Sequence, residues 1–291
     1  GRRVILPTAL LAAAALGVYA GWVEPRALRL RRFAVPLPGL AAPIRAVAIG
    51  DLQPYRHHWS GARLAAAFDR AAAEQPDIVF WLGDYYNAPT KSLARLLDRA
   101  PAARRAYDAT CTPMAEIAAA MGRLRAPMGA FAVLGNHDWA WDGAACAAAL
   151  RAVGVTPLIG AAAEAVHPES DARLTVLGLD DVSSGRPSGW TRLAARAAAP
   201  AVLLTHAPDV WMTLEGRPAL TLAGHGHGGQ IAPFGPTKLP FGARNYPRGW
   251  FARDGDRLYV TTGIGTSGPP ARLGAPPEIV VLDLSPAPAP R

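Results

Sequence analysis

Lysine and cysteine are all but missing from this chain, and each shortage excludes something. Lys91 and Lys238 are the only lysines, so the formal charge of +8 rests on arginine. Those arginines are scattered along the chain rather than gathered in a stripe, and no basic run is interleaved with aromatics. The electrostatic footprint of a nucleic-acid binder is therefore lacking, and no nucleic-acid partner is expected. Cys111 and Cys146 are the only cysteines, which excludes both a cysteine zinc site and a C-x-x-C pair. Two free thiols are expected, with one disulfide as the alternative if the domain is exported. No internal repeat recurs. Charged residues make up 18% of the chain against 51% hydrophobic, which suits a globular core and excludes a disordered chain.

Charge is also absent from Val4–Val23, a stretch of twenty residues long enough to span a bilayer as a helix. Arg2 and Arg3 precede it, as in twin-arginine export signals, and Val18–Ala20 would suit signal-peptide cleavage. Residues 1–23 are thus expected to be a signal peptide or transmembrane anchor, outside the folded domain. The protein is expected to be membrane-associated or exported, with the extracytoplasmic face favoured. Arg26, Arg29, Arg31 and Arg32 follow, in a segment that reads as a half-exposed strand or a juxtamembrane stretch near lipid headgroups. The domain itself is assigned to 24–284, and the proline-rich residues 285–291 to a disordered tail.

Within the domain, short apolar runs each end in a polar residue. Ile44–Ile49 runs into Gly50-Asp51, residues 77–82 into Gly83-Asp84, and residues 130–134 into Gly135-Asn136. Ala201–Thr205 runs into His206, and residues 219–223 into Gly224-His225. Alanine-rich stretches of helical spacing lie between them, at 62–74, 114–124 and 143–153. Strands alternating with helices predict an α/β core, with ligands beyond the strand ends. Residues 257–265 predict a hairpin strand and residues 278–284 a final strand, while 87–112 shows no strong pattern. The edge would gather Asp51, Asp84, Asn136, His206, His225 and His227. Mixed oxygen and nitrogen donors in that number suit two adjacent divalent ions, Mn, Fe or Zn. Such a pair activates a bridging water to hydroxide and neutralises a phosphoryl group, and His137 could give a proton to the leaving oxygen. Each piece alone has a plainer explanation: a strand-ending aspartate is often only a helix cap. Their order makes coincidence a poor explanation.

The series GDLQ (50–53), GDYYN (83–87), GNHD (135–138), LTHAPD (204–209) and GHGHGGQ (224–230) resembles the calcineurin-like metallophosphoesterases. The membrane-associated or exported bacterial branch is nearer, its C-terminal segments being similar to residues 258–282. The likeness covers about residues 22–284. It implies a four-layer α/β/β/α sandwich and a metal-dependent phosphoesterase acting on phosphomonoesters or phosphodiesters, a membrane or envelope ester among the candidates. It implies that Asp51, Asp84 and His227 hold one ion, and that Asp84, Asn136, His206 and His225 hold the other. His137 would be the proton donor, with Asp138 as its orienting partner.

At Gln53 the family usually has a histidine ligand, so three outcomes are open. Gln53 ligates weakly and favours Mn or Mg, leaves a position for water, or is replaced by His57 or His58. The last two otherwise read as a solvated loop. A second class of function follows from the same departure: a pseudoenzyme that binds phosphate or lipid headgroups through a degraded first site. Arg272 is either a substrate-phosphate contact or an ordinary surface arginine. Tyr85, Tyr86 and Trp139 either wall the cleft or pack, and His167 is expected to be exposed.

Overall fold

The computed structural model describes residues 2–89, 91–197, 200–235 and 243–287. Two six-stranded sheets are stacked face to face. The first holds, in spatial order, β1 (Arg29–Pro38), β12 (Glu278–Ala287), β2 (Ile44–Ile49), β3 (Ile78–Trp81), β4 (Ala130–Ala132) and β5 (Val155–Pro157). The second holds β10 (Gly249–Arg253), β11 (Asp256–Val260), β9 (Leu220–Ala223), β8 (Ala201–Thr205), β7 (Arg173–Gly178) and β6 (Ala161–Val166). Strands β2 through β5 are mutually parallel, as are β11, β9, β8 and β7. Parallel strands covered on both faces read as unbroken apolar runs, which is why these strands are visible in the sequence.

Alternation inside those runs sorts the side chains into layers. Val47, Val79 and Trp81 face helices α2 (Gly61–Ala72), α5 (Met114–Met121) and α6 (Asn136–Ala152), packing on Leu64, Phe68, Ile117 and Leu150. Ala46, Ala48, Ile78 and Phe80 point the other way, against Val176, Val202, Leu204 and Leu222 of the second sheet. Each fully buried valine, leucine, isoleucine or phenylalanine among them stabilises the fold by about 1.5–3 kcal/mol. Helix α2 starts where Ser60 accepts from the Arg63 N–H at 3.4 Å, an N-cap. The expected α/β/β/α layering is present, with a thin fourth layer. A one-turn helix, Trp190–Leu193, and a 3₁₀ turn, Pro208–Thr213, cover Leu177 and Leu203.

Several expectations need correction. Residues 87–112, read as patternless, contain helices α3 (Lys91–Asp98) and α4 (Pro101–Thr110). The tail expected from residue 285 is paired with β1 as far as Ala287, and residues 288–291 lie outside the described residues. Cys111 and Cys146 are free, buried thiols, so the disulfide alternative falls. His167 is half-buried, its Nε2 3.5 Å from Asp77 Oδ1.

The amino-terminal segment is joined to the domain more firmly than its apolar composition suggested. Helix α1 (Arg2–Val18) continues through a π-type turn (Tyr19–Val23) and a 3₁₀ turn (Glu24–Arg26). Residues Thr8–Arg26 form one helix long and apolar enough to cross a membrane, with mean hydropathy 1.2. Its end is tied down by many bonds. The Ala20 carbonyl accepts from the Arg272 N–H at 2.9 Å, and the Gly21 carbonyl lies 2.8 Å from His58 Nε2. The Pro25 carbonyl accepts from Trp59 Nε1 at 3.0 Å. The buried Glu24 carboxylate accepts from the N–H groups of Gly274 and Ala275, at 3.1 and 2.8 Å. The helix end is thus hydrogen-bonded to residues of the domain through Ala20, Gly21, Glu24 and Pro25.

Candidate metal centre

Because β2, β3, β4, β8 and β9 run into one edge, the polar residues that end them converge there. Four of these residues take up left-handed backbone: Asp51 (φ 50°), Asp84 (φ 57°), His225 (φ 76°) and His227 (φ 47°). A side chain in that region costs roughly 1–2 kcal/mol and persists only where the surroundings demand it. Glycines beside these residues permit the close approach. A Cβ on Gly135 would lie 2.2 Å from Asp84 Oδ1, and one on Gly224 would lie 2.6 Å from Asp51 Oδ2.

One ligand from each of Asp84, His206 and His225 falls within a 4.8 Å cluster. His206 is its hub. Nε2 lies 3.2 Å from Asp84 Oδ2, 3.3 Å from Asn136 Oδ1 and 3.1 Å from His225 Nδ1. Its Nδ1 faces the Leu82 carbonyl at 2.9 Å, and a carbonyl can only accept. Nδ1 thus donates to Leu82, and Nε2 is the ring nitrogen turned into the cluster, the one a metal ion would take in place of a proton. Burial works against the Asp84 carboxylate, but attraction to the protonated His206 ring outweighs it and holds the carboxyl below its usual range, while the same carboxylate raises the His206 ring well above its ordinary value.

Asp51, Gln53 and His227 adjoin this cluster. Asp51 accepts from the His225 N–H at 2.9 and 3.1 Å, and its Oδ1 lies 3.8 Å from His227 Nε2. Burial pushes the Asp51 carboxyl up to about 7. Burial, reinforced by the Arg272 charge, pushes the His227 ring well below its ordinary value and keeps the imidazole neutral. Gln53 donates through Nε2 to Asp84 Oδ2 at 2.8 Å. Three buried atoms here lack a hydrogen-bonding partner: Gln53 Oε1 and both ring nitrogens of His227. Gln53 Oε1 and one nitrogen of the neutral His227 ring are orphaned acceptors, and beside a buried carboxylate they fit a divalent cation, because buried polar groups are otherwise paired.

Other sequence candidates take different places. Asp138 does not meet the His137 ring. Its carboxylate accepts from the N–H groups of Asp84 (2.8 Å), Gly135 (2.9 Å) and Tyr85 (2.8 Å), and so staples two ligand loops together. The His137 ring is oriented instead by the Ala88 carbonyl, which accepts from Nδ1 at 2.6 Å. Arg272 is neither a surface residue nor a substrate contact. It is fully buried, donating to the carbonyls of Thr262 (2.8 Å), Gly265 (2.9 Å) and Ala275 (2.6 Å). His57 is exposed, while His58 is buried against Gly21, and neither joins the cluster. Tyr85 is core, its hydroxyl donating to the Val133 carbonyl at 2.6 Å. Tyr86 stacks on Trp141, and Trp139 lies under the Arg186 guanidinium. Glu24 and Gln230 were missed as organisers of the edge. The sequence signal for Gln230 was its place at the end of GHGHGGQ.

Two sheets whose strand ends gather carboxylates, an amide and imidazoles present the mixed oxygen and nitrogen donor set that suits divalent transition ions. The family model for calcineurin-like phosphoesterases matches residues 44–229, and the chain belongs to that family. Among curated relatives, the metallophosphoesterase YkuE of Bacillus subtilis is 32% identical over 56% of this chain and 58% of its own. A metallophosphoesterase of Aquifex aeolicus is 28% identical over 72% of this chain and 74% of its own. A transmembrane protein with metallophosphoesterase domain from Bos taurus is 30% identical over 62% and 44%. The chain thus spans well under two thirds of the first and third of these. Of solved structures, a 5'-nucleotidase precursor from Thermus thermophilus aligns over 84% of this chain and 55% of that one. Its TM-score is 0.45 at 17% identity.

Proposed function

We propose that the protein hydrolyses a phosphomonoester or phosphodiester at a membrane surface, using two divalent ions held at the strand edge. The observation that carries this reading is the orphaned set, Gln53 Oε1 and both His227 nitrogens, buried beside the Asp84–His206–His225 cluster. Asp84, Asn136, His206 and His225 would hold one ion, and Asp51, His227, Asp84 and Gln53 the other. When bound, the ions supply an activated water and neutralise charge on the phosphoryl oxygens. The chain's own part is positional. Asp138 fixes the loops of Asp84 and Asn136, and Ala88 fixes the His137 ring so that Nε2 faces the leaving group. Support for the membrane comes from the apolar helix and from its bonded junction with the segment 262–275 beside the metal edge. The relative named as a transmembrane protein points the same way.

The test is hydrolysis of aryl phosphate mono- and diesters by the full chain. Activity should vanish after chelation and return with added Mn, and no activity with Mn, Fe or Zn would overturn the reading. Gln53→His should raise bound metal toward two ions per chain, read by elemental analysis. A wild-type content already at two, unchanged in the variant, would show that the glutamine leaves the first site intact.

A further inference from the structure

Beyond the ligands, one segment reaches over the edge, and its hold on a single serine is unusually complete. Ser267 is gripped on both of its backbone groups by Gln230. Oε1 accepts from the Ser267 N–H at 2.8 Å, and Nε2 donates to the Ser267 carbonyl at 3.0 Å and to that of Pro269 at 2.9 Å. The orientation of that amide is set by its partners, since a flip would place oxygen against oxygen. Gln230 makes this grip from left-handed backbone, φ 45°. On the far side, the Tyr55 hydroxyl donates to the Gly268 carbonyl at 2.9 Å. The base of the segment is fixed as well, with the Gly265 N–H donating to the Asp51 carbonyl at 2.7 Å.

The side chain so presented faces His137. Ser267 Oγ lies 3.5 Å from His137 Nε2, the ring nitrogen left over once Nδ1 has donated to Ala88. That distance is at the long limit of a hydrogen bond, so the hydroxyl adjoins Nε2.

We propose that Ser267, gripped by Gln230, is a positioning residue for the leaving-group side of the reaction. Its hydroxyl holds His137 Nε2 in line with the departing oxygen and so sets which leaving groups the enzyme can handle. This rests on the phosphoesterase reading above, with His137 as proton donor. The P–O bond to the leaving group breaks with its electron pair on the leaving oxygen, which takes the proton from His137 Nε2. Water supplies the new oxygen on phosphorus and its proton passes to solvent, from which His137 is reprotonated. A phenolate with strongly withdrawing substituents leaves unaided, whereas an alkoxide needs that proton.

The experiment compares nitrophenyl and simple alkyl phosphate esters in the Mn-loaded full chain. Ser267→Ala should lower kcat on the alkyl ester about tenfold, the equivalent of one well-placed hydrogen bond, and change the nitrophenyl ester less than about twofold. Ser267→Thr, which keeps the hydroxyl, should restore the alkyl activity. Gln230→Ala should reproduce the selectivity of Ser267→Ala, at unchanged metal content. Equal losses on both esters, or none, would overturn the proposal. His137→Asn separates the two levels. If it too lacks leaving-group dependence, the proton-donor reading fails; if it alone shows that dependence, only the role of Ser267 fails.

Discussion

Asp84→Asn should reduce kcat/KM on aryl phosphates by roughly a thousandfold or more while leaving a folded protein. The loss corresponds to about 4 kcal/mol of transition-state stabilisation, the scale of removing Lewis-acid charge neutralisation. Asp84 is the residue that both halves of the cluster share: His206 approaches its Oδ2 at 3.2 Å and Gln53 donates to it at 2.8 Å. The other oxygen accepts from the His137 N–H at 2.9 Å, a bond an asparagine oxygen can still accept. Shape and that bond survive the substitution, while the anion is lost together with the acceptor for Gln53 Nε2. Bound metal, measured by elemental analysis, should fall with activity, while the melting temperature of the metal-free protein should move by only a few degrees. Wild-type activity in this variant would remove Asp84 from the centre.

Arg272→Met should act in the opposite way, chiefly on stability. The guanidinium is fully buried, and burial has pushed its ordinary value down to about 10. Without it the carbonyls of Thr262, Gly265 and Ala275 lose their donor, while that of Gly263 keeps the Glu278 N–H at 3.1 Å. Each orphaned buried group costs about 1–3 kcal/mol, and relief from burying a charge offsets part of the sum. A net loss of about 3 kcal/mol follows, a fall of roughly 6–12 °C in melting temperature for a domain of this size. A substrate-binding arginine would instead leave the melting temperature unchanged and raise KM. The two outcomes are separated by one thermal scan and one titration of substrate.

What could be read from the sequence follows the range of the interactions involved. Strands β2, β3, β8 and β9 were legible because burial on both faces writes apolar runs, and the polar residues ending them marked the edge. Helix α4 was not, since it buries no residue fully and its support includes the Arg104–Asp108 pair at 3.1 Å, so no apolar stripe marks it. Strand β6 was also missed: Ala161–Val166 is mostly alanine, a helix former held extended by pairing with β7. Among site residues, the ligand types announced themselves, but orientation did not. Whether Asp138 orients His137 or staples two loops depends on a fraction of a turn at the start of α6. Glu24 and Arg272 defeated sequence reading for another reason. Each is satisfied by backbone groups, and those of Glu24 lie some 250 positions away, so no residue type marks the partner.

The junction at Gly21–Arg26 has a consequence for how substrate is met. A flexible leash between helix and domain would set only a radius of search, with the catalytic edge free to tumble inside it. Here the helix end is bolted to the segment that also carries Ser267, so tilt and height are set together with reach. With a bilayer around α1, the edge would keep one constant altitude above the lipid plane. Phosphates at that altitude would arrive by lateral diffusion, in two dimensions rather than three, and their depth in the membrane would select among them before any side chain touched them.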